Sequence, residues 1–227
     1  MKIKDLSSYK AEEILTLMRR IPFFKELQEQ QGDQLERLLG YSCIVELEPG
    51  ETIMRRGDRG SWLYFLIKGR LSVYFDLSEN ANPLNHITPG ELFGDVALLC
   101  DHERKATVAA DKGDKAVLLF ATDFKPFGDL HDFTAIDVHT KLIFYRTMVH
   151  SIRWRLEVNR MENPDHPLIS ELRRAPTHNG ERGGMEELES LYLQAQFLAS
   201  LLDRWNSEGA SLQDVMVVSP DTSPARL

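Results

Sequence analysis

The sequence predicts an α+β protein in which an antiparallel β sandwich or barrel is flanked by helices. From Tyr41 to Phe120, short segments rich in Val, Ile, Leu, Phe and Tyr alternate with turn signals such as Pro49-Gly50 and Pro89-Gly90. Regularly spaced turns between short strands are typical of antiparallel sandwiches and barrels. On both sides of this region the apolar residues recur at helical spacing instead. We therefore expect a β domain with helices before and after it.

The helical elements follow from the spacing of apolar residues. Ile14, Leu15 and Met18 predict a helix over residues 10–20, which Pro22 ends, and a second short helix is expected over 28–39. After Phe127 the chain is helical again. From residue 138 onward, apolar residues alternate four- and three-residue steps, as in a coiled coil. The members of this long-helix seam are Val138, Leu142, Tyr145, Val149, Ile152 and Leu156, followed in the same register by Asn159.

These elements divide the chain into six segments. We expect an N-terminal helix (1–20), a β domain (21–130), a long helix (131–163), a linker (164–184), an amphipathic helix (185–206) and a mobile tail (207–227). The linker is rich in Pro and Gly. The amphipathic helix has its own apolar stripe, the terminal-helix seam, and acidic residues near its start, where the helix dipole favours them. The terminal-helix seam consists of Leu188, Leu191, Ala195, Leu198, Leu202 and Trp205.

Composition places the chain among cytoplasmic globular proteins. It has 227 residues, 42% hydrophobic and 27% charged, which is ordinary for a soluble domain. Its longest apolar runs, Trp62–Ile67 and Ala116–Ala121, are far shorter than the roughly 20 residues that cross a bilayer. Its first residues are charged where a signal peptide is apolar. Cys43 and Cys100 lack metal-ligand spacing and read as two reduced buried thiols rather than as a disulfide or metal pair.

The stretch ITPGELFGDVALLCDHERKATV, residues 87–108, is the most informative about chemistry. Gly94 permits a tight turn, and the apolar run after it can start a short helix whose first N–H groups lack helical partners. Arg104 lies close enough to return across that helix and offer a planar fork to a phosphate. With Asp95 on the other side, this arrangement suits a ribose hydroxyl beside a phosphodiester.

This stretch, which we call the cassette, resembles the phosphate-binding cassette of cyclic-nucleotide-binding domains. That family's pattern is Phe-Gly-Glu-Leu-Ala-Leu, a variable stretch, and Arg-Ala-Ala-Thr. Upstream, PGETIMRRGDRGSWLYFLIKGRLSVYF (49–75) is similar to the family's first strands, and IPFFKEL (21–27) to its entry helix. The resemblance covers roughly residues 10–160. It implies a β jelly-roll barrel that binds cyclic AMP or cyclic GMP, with no other cofactor and no metal.

The resemblance also implies a role for each matching residue. The amides of Val96 and Ala97 and the side chain of Arg104 would hold the cyclic phosphate, and Asp95 would accept from the ribose 2′-hydroxyl. The remaining binding positions are Gly94 at the turn and Lys105, Ala106 and Thr107 after the arginine. Asp95 is one methylene shorter than the family's glutamate, Glu103 replaces a frequent proline, and Lys105 replaces a small residue.

Two readings of Arg104 stay open at this point. It either binds a nucleotide phosphate or forms a structural ion pair with Asp95, Asp101 or Glu103. The first reading makes the chain a regulatory sensor that signals through contact with an output protein, which the sequence does not identify. The second makes it a nucleotide-free dimerisation and interaction scaffold.

Transcription factors and enzymes fit the sequence less well. Residues 164–227 hold five Arg, no Lys and ten Asp plus Glu, so this region lacks the cations that DNA phosphates require. The overall charge of −8 likewise disfavours DNA and anionic membranes. The one candidate basic patch is the run Arg153, Arg155 and Arg160, which usually marks a solvated helix face. No nucleophile–base set or metal motif is apparent, and we read the seven histidines as surface or capping residues.

The long-helix seam predicts a homodimer. It persists for three heptads, about 30 Å of helix, which is more than one face of a small barrel covers. In the resembling receptor proteins this helix pairs with its twin. A helix lying on its own barrel is the alternative.

Overall fold

The computed structural model describes residues 1–6, 11–19, 21–30, 32–75, 82–113 and 116–217. Its strands are β1 Lys2–Asp5, β2 Ser42–Leu47, β3 Thr52–Met54, β4 Trp62–Lys68, β5 Leu71–Tyr74, β6 Asn85–Ile87, β7 Leu92–Phe93, β8 Thr107–Ala110 and β9 Val117–Asp123. Its helices are α1 Ala11–Met18, α2 Pro22–Gln30, α3 Gly32–Leu39, α4 Asp95–Leu99, α5 Lys125–Gly128, α6 Val138–Glu162, α7 Ile169–Leu172 and α8 Met185–Val217.

The strands form two antiparallel sheets, which confirms the predicted α+β class with flanking helices. One sheet has the order β1-β2-β9-β4-β7 and the other β3-β8-β5-β6. Strand β9 runs between β2 and β4, with Phe120 opposite both Ile44 and Phe65. The order interleaves strands distant in sequence, as a jelly roll requires.

The centre of the larger sheet is buried on both faces, which explains the continuous apolar runs of β4 and β9. Along β9, Leu119 and Ala121 belong to a cluster shared with the smaller sheet, whereas Phe120 belongs to the core beneath the helices. Phe24 of α2 packs edge-on against Phe120, with 4.5 Å between ring centroids. The molecule thus has three layers: the four-stranded sheet, the five-stranded sheet and the helices.

The N-terminal region differs from the sequence prediction in two ways. Residues 2–5 form a strand that pairs with β2, whereas the sequence predicted only a helix over residues 1–20. Pro22 begins α2 instead of merely ending α1, because proline is favoured in the first turn of a helix, where its missing N–H costs nothing.

Most of the long-helix seam, which the sequence predicted to form a dimer interface, is covered within the single chain, and the homodimer stays a prediction. Leu142, Tyr145, Ile152 and Leu156 have no exposed surface, Val149 is almost fully covered, and Val138 is half-buried. The terminal-helix seam of α8 is buried as well, and the two seams belong to one hydrophobic core. Helix α8 covers the part of α6 that the sheets leave exposed, so this long helix has a second partner within its own chain.

The segments after α6 also differ from their expected bounds. The predicted linker, 164–184, contains the short helix α7, whose Ile169 and Leu172 are buried with Leu168 before it. The last helix continues to Val217, past the predicted end at residue 206, so part of the expected tail is helical. Residues 218–227 of that tail lie outside the described residues. Within the described part of the chain, no helix combines the length and the apolar character needed to span a membrane.

Candidate functional site

Helix α4 of the cassette begins at a turn that only glycine fits. Strand β7 ends at Phe93, and Gly94 then adopts φ +86° at the N-cap of α4. Residues other than glycine rarely adopt this backbone conformation. A Cβ at this position would lie 3.2 Å from Nη1 of Arg104 and from the carbonyl oxygen of Trp62. The glycine is therefore needed both for the turn and for the close approach of the arginine.

Arg104 is buried and is held by backbone carbonyls. Its side chain donates to the carbonyl oxygen of Gly94, to that of Trp62 at 2.9 Å and to that of Gly60 at 3.3 Å. The residue is 5% exposed, and none of the carboxylates that the structure describes lies within ion-pairing distance of it. Burial lowers the pKa of the guanidinium, but an arginine remains protonated at neutral pH. The predicted ion pair with Asp95, Asp101 or Glu103 is not formed.

Asp95 is still more deeply buried than Arg104 and faces the long helix. Its Oδ2 accepts from Nη2 of Arg155 on α6, whereas its Oδ1 has no hydrogen-bond partner among the described residues. The carboxylate is 1% exposed. Because a buried acceptor without a partner is costly, Oδ1 is the point in the cassette where a donor is most needed.

The other predicted binding residues surround these two side chains. Val96 and Ala97 form the first turn of α4, the former half-buried and the latter buried. After Arg104, the side chain of Lys105 is exposed, and Thr107 is buried and accepts from the backbone N–H of Arg56 at 3.1 Å. Ala106 is half-buried between them. Glu103 points outward, where it lies 3.8 Å from the exposed Arg59.

Helix α8 packs against the cassette, which the sequence did not indicate. The side chain of Gln196 donates to the carbonyl oxygen of Leu99 at 3.4 Å, and Asp203 lies 3.4 Å from His102. Burial raises the pKa of the neighbouring Cys100 thiol to about 11, so this cysteine is not a thiolate nucleophile at neutral pH. The sequence did not indicate that Arg155, Gln196 and Asp203 contact the cassette. In the sequence, Arg155 is notable only as a member of the basic run with Arg153 and Arg160.

Comparison with known proteins finds relatives of the region that contains the cassette. The family model described as the cyclic nucleotide-binding domain matches residues 44–127. A cGMP-dependent protein kinase of Plasmodium berghei (strain Anka) is 32% identical over 109 residues, 48% of this chain and 12% of that protein. The type II regulatory subunit of cAMP-dependent protein kinase of Drosophila melanogaster is 30% identical over 111 residues, 49% of this chain and 28% of that protein.

Among solved structures, a similar chain is the regulatory subunit of a cAMP-independent protein kinase A from Trypanosoma brucei. The TM-score is 0.41 at 25% identity, over 49% of this chain and 39% of that one. The region of similarity spans less than a third of the length of the Plasmodium kinase and of the Drosophila regulatory subunit.

Proposed function

We propose that this chain, whose residues 44–127 belong to the cyclic nucleotide-binding domain family, binds cyclic AMP or cyclic GMP at the cassette and signals through protein contacts. The observation that carries the proposal is the state of Arg104. Its positive charge is buried, and among the described residues it is met by carbonyl oxygens rather than by a carboxylate.

A buried guanidinium without a counter-ion is an anion site. Carbonyl dipoles orient the group and satisfy some of its N–H donors, but they supply no net negative charge, and arginine carries more donors than these bonds consume. A cyclic phosphodiester supplies one negative charge and two oxygens, to which the planar guanidinium can donate a pair of parallel hydrogen bonds. The first-turn N–H groups of α4, at Val96 and Ala97, lie in the same segment and add donors for the phosphate.

Asp95 supplies the coupling from nucleotide to α6. In this proposal the ribose 2′-hydroxyl donates to Oδ1, the oxygen without a partner, while Oδ2 keeps its bond to Arg155. Because the carboxylate is almost fully covered, a ribose reaches it only if α4 and α6 separate slightly. Nucleotide binding and the position of α6 are then thermodynamically linked, since the ligand favours the separated arrangement.

A nucleotide-free scaffold is the second candidate, and one observation favours it. Helix α8 contacts α4 through Gln196 and the residues after α4 through Asp203, which lies beside His102, so the cassette already has a packing partner within the chain. In a scaffold, Arg104 would serve only to tie three backbone segments together.

Titration calorimetry with cyclic AMP and cyclic GMP separates the two candidates. We expect binding by the parent, and Arg104→Ala should weaken it by about 1.5–3 kcal/mol, the range for hydrogen bonds to a charged group. Arg59→Ala is the matched control, because Arg59 is exposed and close to the cassette through Glu103, and it should leave affinity unchanged. Absence of binding at millimolar nucleotide, or equal affinity of the Arg104 variant, would select the scaffold.

The proposal makes the role regulatory rather than catalytic and places the protein in the cytoplasm. In support, Cys43 and Cys100 are both free thiols in the structure, as a reducing compartment favours. The output partner that the nucleotide would control is a protein, reached through surfaces of α6 and α8.

A further inference from the structure

The C-terminal half of α6 and the chain around the end of α7 line a half-open cavity of about 300 Å³, at which Arg173 and Thr177 are exposed. Arginines dominate its lining: Arg153 and Arg160 come from α6, and Arg173 follows α7. We call this the arginine cavity. None of its lining residues belongs to the cassette. Two of them are members of the basic run that stood out in the sequence of this acidic chain, and the nucleotide proposal leaves them unexplained.

Two of the three arginines have no carboxylate partner. Arg160 is paired with Glu157 at 2.6 Å, but Arg153 and Arg173 form no ion pair with any carboxylate in the described part of the chain. Arg160 also lies in the last turn of α6, where the helix dipole favours a cation. Arg153 is more than two turns from the end of α6, so the dipole does not account for it, and Arg173 is the C-cap residue of the four-residue helix α7.

We infer that the arginine cavity binds a small organic phosphate monoester. Three guanidiniums and the single carboxylate of Glu157 give the lining a net charge of +2. A phosphate monoester carries about −1.5 to −2 at neutral pH, and guanidinium forks match its oxygens in pairs. A singly charged carboxylate or phosphodiester would leave part of the positive charge unbalanced.

The rest of the lining points to an organic group on the phosphate. Leu172 and Ala175 provide an apolar wall, and Thr177 offers a hydroxyl. The cavity volume lies at the lower end of the range for small-molecule sites, roughly 300–1,000 Å³, and exceeds what a bare phosphate fills. The ligand therefore combines a dianionic phosphate with a compact apolar part.

Calorimetric titration of the full chain with phenyl phosphate tests this inference. Arg153→Gln and Arg173→Gln should each weaken binding about tenfold or more, because each removes a charge-assisted contact. Glu157→Gln should strengthen binding several-fold, because it removes the only negative charge of the lining and frees Arg160. A merely structural role of these residues would not produce changes in opposite directions.

Arg174→Gln is the matched control, since it deletes the same charge next to Arg173 at a residue that does not line the cavity. It should leave phenyl phosphate affinity unchanged. Benzenesulfonate, a monoanion of similar size, and inorganic phosphate, which lacks the apolar part, should both bind more weakly. No binding of phenyl phosphate at about 10 mM, or equal weakening by Arg174→Gln, would overturn the site.

Two further results bear on the ligand and on independence from the cassette. A phosphotyrosine peptide that bound more tightly than phenyl phosphate would overturn the small-molecule source in favour of a phosphorylated protein. Arg104→Ala should leave phenyl phosphate binding intact, and loss of that binding in this variant would show that the cassette, not the arginine cavity, holds the probe. Phosphate binding at the arginine cavity is therefore tested independently of nucleotide binding at the cassette.

Discussion

The two buried charges of the cassette are held by different kinds of partner. Arg104 is fixed by carbonyl oxygens from two segments of the chain, at Gly60 and Trp62 and at Gly94, and this keeps its charge available to an incoming anion. Asp95 is instead neutralised on one oxygen by Arg155. The guanidinium of Arg104 is thus positioned to bind a phosphate, whereas the carboxylate of Asp95 is already paired with an arginine of α6. Such preorganisation lowers the entropic cost of binding.

The turn at Gly94 allows a residue-scale prediction with an internal control. Gly94 and Gly57 both have φ +86°, but a Cβ at Gly57 would meet nothing within 4 Å, whereas one at Gly94 would crowd Arg104 and Trp62. Gly57→Ala should therefore cost only the backbone strain, about 1 kcal/mol. Gly94→Ala should cost more and should also weaken nucleotide binding, because Arg104 must move.

Denaturant unfolding and nucleotide titration of both variants measure these effects. Equal destabilisation of the two variants, with nucleotide affinity unchanged in Gly94→Ala, would mean that Arg104 does not depend on the close approach at this turn.

At the scale of elements, α8 is tied to the rest of the molecule along its length. Near its start, Glu187 accepts two hydrogen bonds from Arg146 of α6, at 2.8 and 2.9 Å. In its middle, Gln196 reaches α4, and further on Arg204 forms a two-bond pair with Glu171 of α7. Apolar packing of the two seams supplies most of the docking energy, and these polar contacts fix the register.

The Glu187 contact makes the docking of α8 depend on pH. Burial alone would raise the pKa of this carboxyl, but the N–H of Gly183 and the guanidinium of Arg146 hold the pKa below its ordinary value of 4.5. A carboxyl with a lowered pKa stabilises the fold above its unfolded-state pKa, and this contribution is lost as the pH falls through the folded-state value. Glu187→Gln should lower the free energy of unfolding by about 2 kcal/mol at pH 7. As the pH falls below 4.5, this variant should lose less stability than the parent.

Urea unfolding at pH 7 and between pH 5 and 3 tests this expectation. Glu186→Gln, at the exposed neighbouring position, should behave like the parent. Parallel pH profiles for the parent and Glu187→Gln would show that this pair contributes nothing to docking.

At the scale of the whole molecule, one chain covers its own apolar surfaces. The two sheets cover each other, the first helices and α6 cover the outer face of the larger sheet, and α8 covers α6. Exposed large apolar side chains remain on the outer side of α6, at Trp154 and Met161. The long-helix seam is therefore a structural part of the monomer.

A charge placed in the long-helix seam should unfold the chain rather than dissociate a dimer. Ile152 has no exposed surface, so Ile152→Glu buries an unpaired charge at a cost of several kcal/mol. This is comparable with the whole stability of a typical domain, about 5–15 kcal/mol. Trp154→Glu, two positions away on the exposed side, should stay close to the parent in stability.

Circular dichroism melting together with sedimentation distinguishes the outcomes. A parent dimer that Ile152→Glu converts into a folded monomer would mean that the long-helix seam joins two chains after all.

Local features of this protein can be predicted from its sequence. The strand texture and turn signals predicted antiparallel sheets, and the apolar spacing predicted both seams. The cassette motif predicted a turn at Gly94 and the return of Arg104 across the short helix that follows it. Each of these is encoded by residues close together in the chain, where periodicity and turn chemistry act directly. The N-terminal strand escaped detection because its four residues, KIKD, carry little apolar character and are defined by pairing with β2.

Which surfaces of distant elements contact each other could not be predicted from the sequence and is seen in the packed structure. Asp95 pairs with Arg155 and not with Arg104. The long-helix seam packs against α8 within the chain. Arg173 and Arg153 line the same cavity. An amphipathic stripe specifies that a face must be covered but not what covers it, and a charged side chain does not specify its counter-ion. Those choices depend on how distant elements pack, because all of them compete for the same buried volume.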